Sequence, residues 1–181
     1  AGGELFTGNN LVMSMGVAKK TVSLSQCLKV WGVSYVGNLV GSILLALLFV
    51  GCGLATGAVG DFISSSAATK MSLSPLALLC RGALCNMLVC LAVWCSIKLK
   101  SESGKLIIVF WCLLAFITTG FEHSIANMFF IPLGMMQGAE VGWGAFIGRN
   151  LIPATLGNVA GGAVFVGGLY WYVYGTGKAK E

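Results

Sequence analysis

The segment GFEHSIANM, residues 120–128, places a glutamate and a histidine side by side within an apolar stretch. Residues 106–121 before the pair carry no charge, and neither do residues 124–139 after it. A stretch of this length can cross a bilayer, because about 20 apolar residues in a helix suffice. Near the centre an acid or base costs about 2.5–3.5 kcal/mol on insertion scales, so such groups usually face a pore, a cavity or each other. The segment therefore predicts a polar pathway through a membrane, lined by His123.

The composition also indicates an integral membrane protein. The chain has 181 residues, of which 57% are apolar and only 9% charged, whereas soluble domains average about 25% charged residues. The mean hydropathy is +0.89. The net charge of +5 does not indicate nucleic-acid binding, because the lysines lie in short runs between apolar spans. The seven cysteines include no CxxC pair, so neither a metal site nor a cofactor is predicted.

Five apolar spans are expected to be helical, since only helices satisfy their own backbone groups in lipid. The spans are Leu5–Ala18, Val30–Val50, Ser74–Ile97, Leu106–Pro132 with an interruption at Thr118–Ser124, and Leu151–Tyr174. Lysines concentrate in the first and third loops and in the tail, whereas the second and fourth loops have balanced charge. The excess of basic residues in cytoplasmic loops then predicts that the first and third loops and the C-terminus are cytoplasmic.

Two motifs occur once in each half of the chain. ELFTGN at 4–9 and EHSIAN at 122–127 share the frame E-x-x-x-x-N, and GNLVG at 37–41 matches GNVAG at 157–161. In the first half the asparagine of GNxxG follows the glutamate of E-x-x-x-x-N by 34 residues, and in the second half it follows by 36. The motifs predict an internal repeat.

The repeat predicts the organisation of the membrane domain. The second half has an apolar span, 74–97, ahead of its first motif, and this chain has no counterpart in the first half. Three helices per half are therefore expected, with the first helix lacking from this chain, and the halves inverted relative to each other. Residues 1–52 are predicted to end the first repeat, 53–73 to form an outward loop, and 74–181 to form the second repeat.

Five sequence strings resemble the formate/nitrite transporter family, and together they cover the whole chain. They are ELFTGN (4–9), GNLVG (37–41), CNMLVCLAVW (85–94), GFEHSIANM (120–128) and NLIPATLGN (150–158). The resemblance implies an all-α, aquaporin-like membrane protein in which the second and fifth of six helices are broken. It also implies a homopentamer in the bacterial inner membrane, with a pore for small monovalent anions in each subunit. The absent first helix is a departure, because one of the family's two apolar constrictions draws on residues that this chain lacks.

The resemblance also assigns roles to individual residues. His123 matches the central pore histidine, Thr7 the threonine opposite it, and Lys70 a lysine that supplies positive potential. Asn86 and Asn158 match pore asparagines. The residues matching the apolar constrictions are Leu5 and Phe6 for one and Phe116 for part of the other.

The residues by themselves suggest further structural roles. Glu122 is interpreted as a structural acceptor of hydrogen bonds rather than a second pore group, and Glu4 takes the same role by repeat symmetry. Asn38 is expected to join helices. Arg81 is expected to pair with a buried glutamate, with a contribution to the positive field as the alternative.

The predicted mechanism is passage of the anion of a weak acid, with the imidazole donating or polarising a proton at the constriction. A histidine ordinarily titrates near pH ~6.5. Gly3 and Gly8 beside Thr7, with the short fourth loop, favour hydrosulfide over formate and nitrite. A neutral-solute pore of aquaporin type is the alternative, but the Asn-Pro-Ala motif of such pores does not occur. A haem-containing redox subunit would need paired histidines, and the chain has one.

Overall fold

The computed structural model describes residues 4–175, and the elements found there are helical. They are α1 (Phe6–Ala18), α2 (Leu24–Gly51), α3 (Gly57–Met71), α4 (Pro75–Lys98), α5 (Glu102–Thr118), α6 (Ser124–Met136) and the long α7 (Trp143–Tyr174). Helices α2, α4 and α7 are long and apolar enough to cross a membrane. At 13 residues each, α1 and α6 are only about 20 Å long and cannot cross alone.

The chain is broken between α5 and α6, as the interruption at Thr118–Ser124 predicted. Helix α5 ends at Thr118, Gly120 adopts a left-handed conformation with φ +70°, and α6 begins at Ser124. Glycine reaches this conformation without the steric cost that a Cβ imposes. The break therefore lies between an exposed turn at Thr118–Gly120 and a buried start of α6 at Glu122–Ser124.

Helices α2 and α7 begin earlier than their apolar spans predicted. A capping box precedes α2, in which Ser23 Oγ accepts from Gln26 N–H and the Gln26 side chain accepts from Ser23 N–H. This places Lys29 within the helix rather than in a loop. Helix α7 starts at Trp143 and contains Arg149 in a π-helical segment, Phe146–Leu151. The onset of an apolar run marks where a helix enters lipid, which need not be where the helix begins.

The segment predicted as an outward loop contains helix α3. This helix packs against α6 so closely that a Cβ on Gly134 would collide with Ala67. No sequence pattern indicated this helix within the predicted outward loop, because α3 is rich in glycine, alanine and serine and therefore lacks an apolar run. Its last turn carries Lys70.

Helices α4 and α7 pack backbone against backbone through glycines. A Cβ on Gly82 would lie 2.7 Å from the Ala154 carbonyl oxygen, and Cβ atoms on Gly157 and Gly161 would collide with backbone atoms of α4. Small residues permit this close approach between membrane helices. Their repeat partners on α2, Gly37 and Gly41, have nothing within 4 Å among the described residues. The glycines of the GNxxG motif therefore form a helix-packing surface, and in the second half α4 packs against it.

Candidate pore and its polar lining

The two E-x-x-x-x-N motifs make the same hydrogen bond. Asn9 Nδ2 donates to Glu4 Oε2 at 2.8 Å, and Asn127 Nδ2 donates to Glu122 Oε2 at 2.7 Å. Each glutamate stands just before a half-length helix, α1 or α6, and the asparagine lies in the first turns of that helix. The motif thus ties each helix break to the helix that follows it.

The asparagines of the two GNxxG motifs also bind in the same way. Asn38 donates to the Glu4 carbonyl oxygen at 3.0 Å and accepts from Phe6 N–H at 3.0 Å. Asn158 donates to the Glu122 carbonyl oxygen at 3.0 Å and accepts from Ser124 N–H at 2.8 Å. Backbone groups at a helix start lack helical partners, and here an amide side chain from another helix supplies them. The internal repeat predicted from the sequence is present in these contacts.

Replacing Asn158 with leucine is expected to destabilise the protein strongly. The side chain is fully buried and also donates to the Gly82 carbonyl oxygen at 2.9 Å. The change removes the partner of the Glu122 carbonyl and of the Ser124 N–H at the start of α6, at about 1–3 kcal/mol each. Thermal unfolding in detergent measures the loss. The matched control is Leu156→Ala on the same helix, where the side chain is 57% exposed. Equal unfolding temperatures for the two variants would contradict this role for Asn158.

Thr7 and His123 lie side by side where the two half-length helices begin. Thr7 Oγ1 is 3.0 Å from His123 Nε2, and both residues are buried. His123 Nδ1 caps α6 by accepting from Ala126 N–H at 3.1 Å. Because Nδ1 is an acceptor, the neutral tautomer that fits carries its proton on Nε2 and donates to Thr7. A second proton on Nδ1 would face the Ala126 N–H and break the cap.

Two cavities share Phe116 in their walls. The His123 cavity, about 550 Å³, is lined by Phe116, His123 and the charged residues described below. The Leu5 cavity, about 400 Å³, is lined by Phe116, Leu5, Cys112 and apolar residues of α4 and α5. The Phe116 ring stacks on the imidazole, with centroids 5.7 Å apart and planes inclined by 17°. Phe116 therefore borders both cavities and covers one face of the histidine.

Of the remaining two residues predicted for a constriction, Leu5 and Phe6, the second lies in the core. Its ring is 4% exposed and packs edge-on against Trp31 at 6.1 Å and Tyr35 at 4.9 Å between centroids. Leu5, its neighbour, is 40% exposed and lines the Leu5 cavity. The two adjacent side chains thus point to different surroundings.

The charges of the His123 cavity are arranged differently from the sequence prediction. Lys70 Nζ lies 3.0 Å from Glu122 Oε1, whereas Arg81 Nη1 donates to the Gly120 carbonyl oxygen at 3.4 Å. The predicted pairing of Arg81 with a buried glutamate was wrong, because α3 delivers Lys70 to Glu122 instead. Among the described residues Arg81 belongs to no ion pair. Two cations and one carboxylate line this cavity, which leaves one excess positive charge.

Asn86 is fully buried and anchors the start of α1. Its Nδ2 lies 3.2 Å from the Thr7 carbonyl oxygen, 3.0 Å from Asn10 Oδ1 and 2.6 Å from the Asn158 carbonyl oxygen. These contacts join the two halves of the repeat behind the Thr7–His123 pair. Its direct contact with a passing solute stays a prediction.

Sequence reasoning missed two buried asparagines. Asn10 holds Asn86, and Asn150 accepts from Asn127 at 2.8 Å and donates to the Lys70 carbonyl oxygen at 3.0 Å. Asn150 therefore connects α7 to Asn127, which binds Glu122, and to the backbone of Lys70. The available clue was that a buried amide within an apolar span needs a partner.

The family model described as formate/nitrite transporter matches residues 1–172. This chain belongs to the formate/nitrite transporter family. The family and the relatives below are transporters and channels, so the protein is a membrane transport protein and not an enzyme. The predicted all-helical, aquaporin-like fold is confirmed by its structural neighbours.

Two of the relatives are named as transporters of formate or nitrite. A probable formate transporter of Methanothermobacter thermautotrophicus is 42% identical over 191 residues, which cover 96% of this chain and 69% of the relative. The nitrite transporter NirC of Escherichia coli K12 is 41% identical over 183 residues, covering 100% of this chain and 67% of the relative.

Two solved structures share the fold. An ion channel of the family has a TM-score of 0.86 and 39% identity, covering 94% of this chain and 69% of that channel. A pentameric formate channel with formate bound has a TM-score of 0.77 and 33% identity, covering 84% and 68%. The chain thus spans about two thirds of the length of these relatives.

Proposed function

We propose that the protein conducts small monovalent anions across a membrane through a pore in each subunit of a homopentamer. The observation that supports this most directly is the placement of a buried hydroxyl–imidazole pair beside a cavity with excess positive charge. Formate and nitrite are the substrates that the names of the relatives give. The pentamer is proposed from the pentameric formate channel with which this chain shares its fold.

The His123 cavity attracts an anion before the anion loses its water of hydration. Arg81 supplies the charge that no carboxylate neutralises, which is the role that the resemblance gave to Lys70. The N-termini of α1 and α6 add partial positive charge. Because Glu122 neutralises Lys70, Arg81 makes this cavity the side from which an anion is drawn towards Phe116.

Thr7 and His123 then provide hydrogen bonds beside Phe116. With the proton on Nε2, the imidazole donates and the Thr7 hydroxyl remains able to donate its own proton onward. An anion beside this pair exchanges water for these donors, and charge-assisted hydrogen bonds are roughly twice as strong as neutral ones. The imidazole thus acts by polarising a proton towards the anion. Asn86 and Asn158 hold the pair from behind.

Phe116 and Leu5 restrict passage to small, weakly hydrated solutes. Phe116 borders both cavities, and Leu5 lines the second, so both present apolar surface to a solute that leaves the histidine. Apolar constrictions exclude large or strongly hydrated ions. Phe6 supports this arrangement from the core, where it fixes the start of α1 against α2.

The membrane setting follows from the apolar helices and the family. We propose the inner membrane of a bacterium, with the first and third loops and the C-terminus in the cytoplasm, on the distribution of lysines along the chain. The tail residues Lys178 and Lys180 lie outside the described residues. Glu4, Glu122 and Asn38 are assigned structural roles on the contacts described above.

Flux into proteoliposomes tests the function. Formate, nitrite and hydrosulfide are expected to enter liposomes containing the protein much faster than empty ones, while glycerol is expected to enter both equally. We place hydrosulfide among the substrates on the sequence features around Thr7, and the relative rates rank the three anions. Rapid glycerol entry with no anion flux would overturn the proposal in favour of a neutral-solute pore.

A further inference from the structure

Three aromatic rings pack together where α4 and α7 end. Trp94 stacks on Tyr170, with centroids 4.3 Å apart and planes inclined by 30°. Tyr174 lies 5.7 Å from Trp94 and 5.9 Å from Tyr170, again between ring centroids. Lys98 Nζ sits 4.9 Å from the Trp94 centroid and 5.6 Å from that of Tyr174. These four residues, here the Trp94 cluster, border a cavity of about 500 Å³.

We propose that this cavity binds the phosphate headgroup of an anionic membrane phospholipid. Lys98 is the last residue of α4, and the polar residues that follow it in sequence mark the membrane boundary. Tryptophan and tyrosine concentrate at this depth, where lipid headgroups lie. The site is separate from the pore and does not depend on which solute the protein conducts.

The charge of Lys98 is held in place but not neutralised. Within residues 4–175 the ion pairs are Lys70–Glu122 and Lys105–Glu102, so Lys98 has no carboxylate partner there. The faces of two rings attract its ammonium group, worth about 0.5–2 kcal/mol depending on exposure. Holding a long side chain in position before binding lowers the entropy that a ligand must overcome. An ammonium fixed in this way can donate hydrogen bonds to a phosphate.

The remaining walls of the cavity favour a lipid over a soluble anion. They are formed by Cys95, Leu99 and Ile108, which present apolar surface from α4 and α5. A phosphate bound at Lys98 would place its glycerol and acyl chains along this surface. Inorganic phosphate would gain nothing from these walls, whereas a phospholipid buries hydrocarbon against them.

Lipid binding by the purified, delipidated protein tests the proposal. Native mass spectrometry counts the molecules of phosphatidylglycerol or phosphatidylcholine retained per subunit during a titration. The wild type is expected to prefer phosphatidylglycerol. Lys98→Gln is expected to weaken its binding about fivefold, which is the contribution of one lysine near an anionic surface. Lys98→Arg is expected to retain it, and Trp94→Leu to weaken it with the lysine still present.

The nearby Lys100 supplies the matched control. It is exposed and lies two residues further along, but it does not border the cavity. Equal losses for Lys98→Gln and Lys100→Gln would overturn the site, because general surface charge would then account for binding. Equal retention of the two lipids by the wild type would also overturn it. The role of Lys98 would then be to offset the partial negative charge at the C-terminus of α4. If Trp94→Leu does not fold, the comparison of Lys98→Gln with Lys98→Arg decides the question.

Discussion

Replacing Lys70 with methionine is expected to destabilise the protein by about 3 kcal/mol, within the range for removing one partner of a buried ion pair. Glu122 is only 3% exposed, so its carboxylate loses its counter-ion without gaining water. Lys70 itself is 23% exposed, which keeps the expected cost at the low end of the range. The fall in unfolding temperature, followed in detergent by the loss of the folded species, measures the effect.

A second substitution separates the ion pair from the helix that carries Lys70. In the Lys70→Met, Glu122→Gln double variant the stranded charge is gone, and Asn127 can still donate to the side-chain oxygen of residue 122. Most of the lost stability should therefore return. Arg81→Met is the matched control, because Arg81 lines the same cavity but belongs to no ion pair among the described residues. It should lower anion flux while changing the unfolding temperature little. A double variant as unstable as Lys70→Met would show that the charge of Glu122 is not responsible.

The backbone plan could be predicted from the sequence because membrane helices leave simple patterns. The broken helix at residues 119–123 was visible as two polar residues after a glycine in an apolar run. The repeat was visible because the same side chains, Glu–Asn and Gly–Asn, satisfy backbone groups at both breaks. Helix α3 was missed because it is rich in small residues, which pack closely on α6 but leave no hydropathy pattern.

The partners of the buried charges could not be predicted. Glu122 is paired with Lys70 across 52 positions of sequence, and only the packing of α3 on α6 brings them together. Arg81 was the more attractive partner because it lies within a predicted span. The contact of Asn86 with Thr7 and Asn158 likewise depends on the close approach of α4 to α7. A pattern of residue types identifies which groups need partners, whereas the packing determines which partner each one obtains.

Replacing His123 with asparagine is expected to abolish most anion flux while leaving the fold intact. Asparagine is a favoured residue at the start of a helix, so it can take over the cap that His123 Nδ1 makes with Ala126. It cannot reproduce the Nε2 contact with Thr7 or the stacking on Phe116. Losing a hydrogen bond to a charged group costs about 1.5–3 kcal/mol, which corresponds to roughly a 10- to 100-fold lower flux. Liposome flux measured over a range of pH values tests this.

His123→Phe provides the comparison that separates the cap from the pore. Phenylalanine retains an aromatic ring against Phe116 but neither caps α6 nor bonds to Thr7, so this variant should lose flux and about 1 kcal/mol of stability. Both variants should also change the dependence of flux on pH or the selectivity among anions, because each lacks the imidazole and its contact with Thr7. Wild-type flux with an unchanged pH profile in either variant would remove His123 from the transport mechanism. His123 would then serve only to cap α6 through Nδ1, with the contact between Nε2 and Thr7 as a consequence of that orientation.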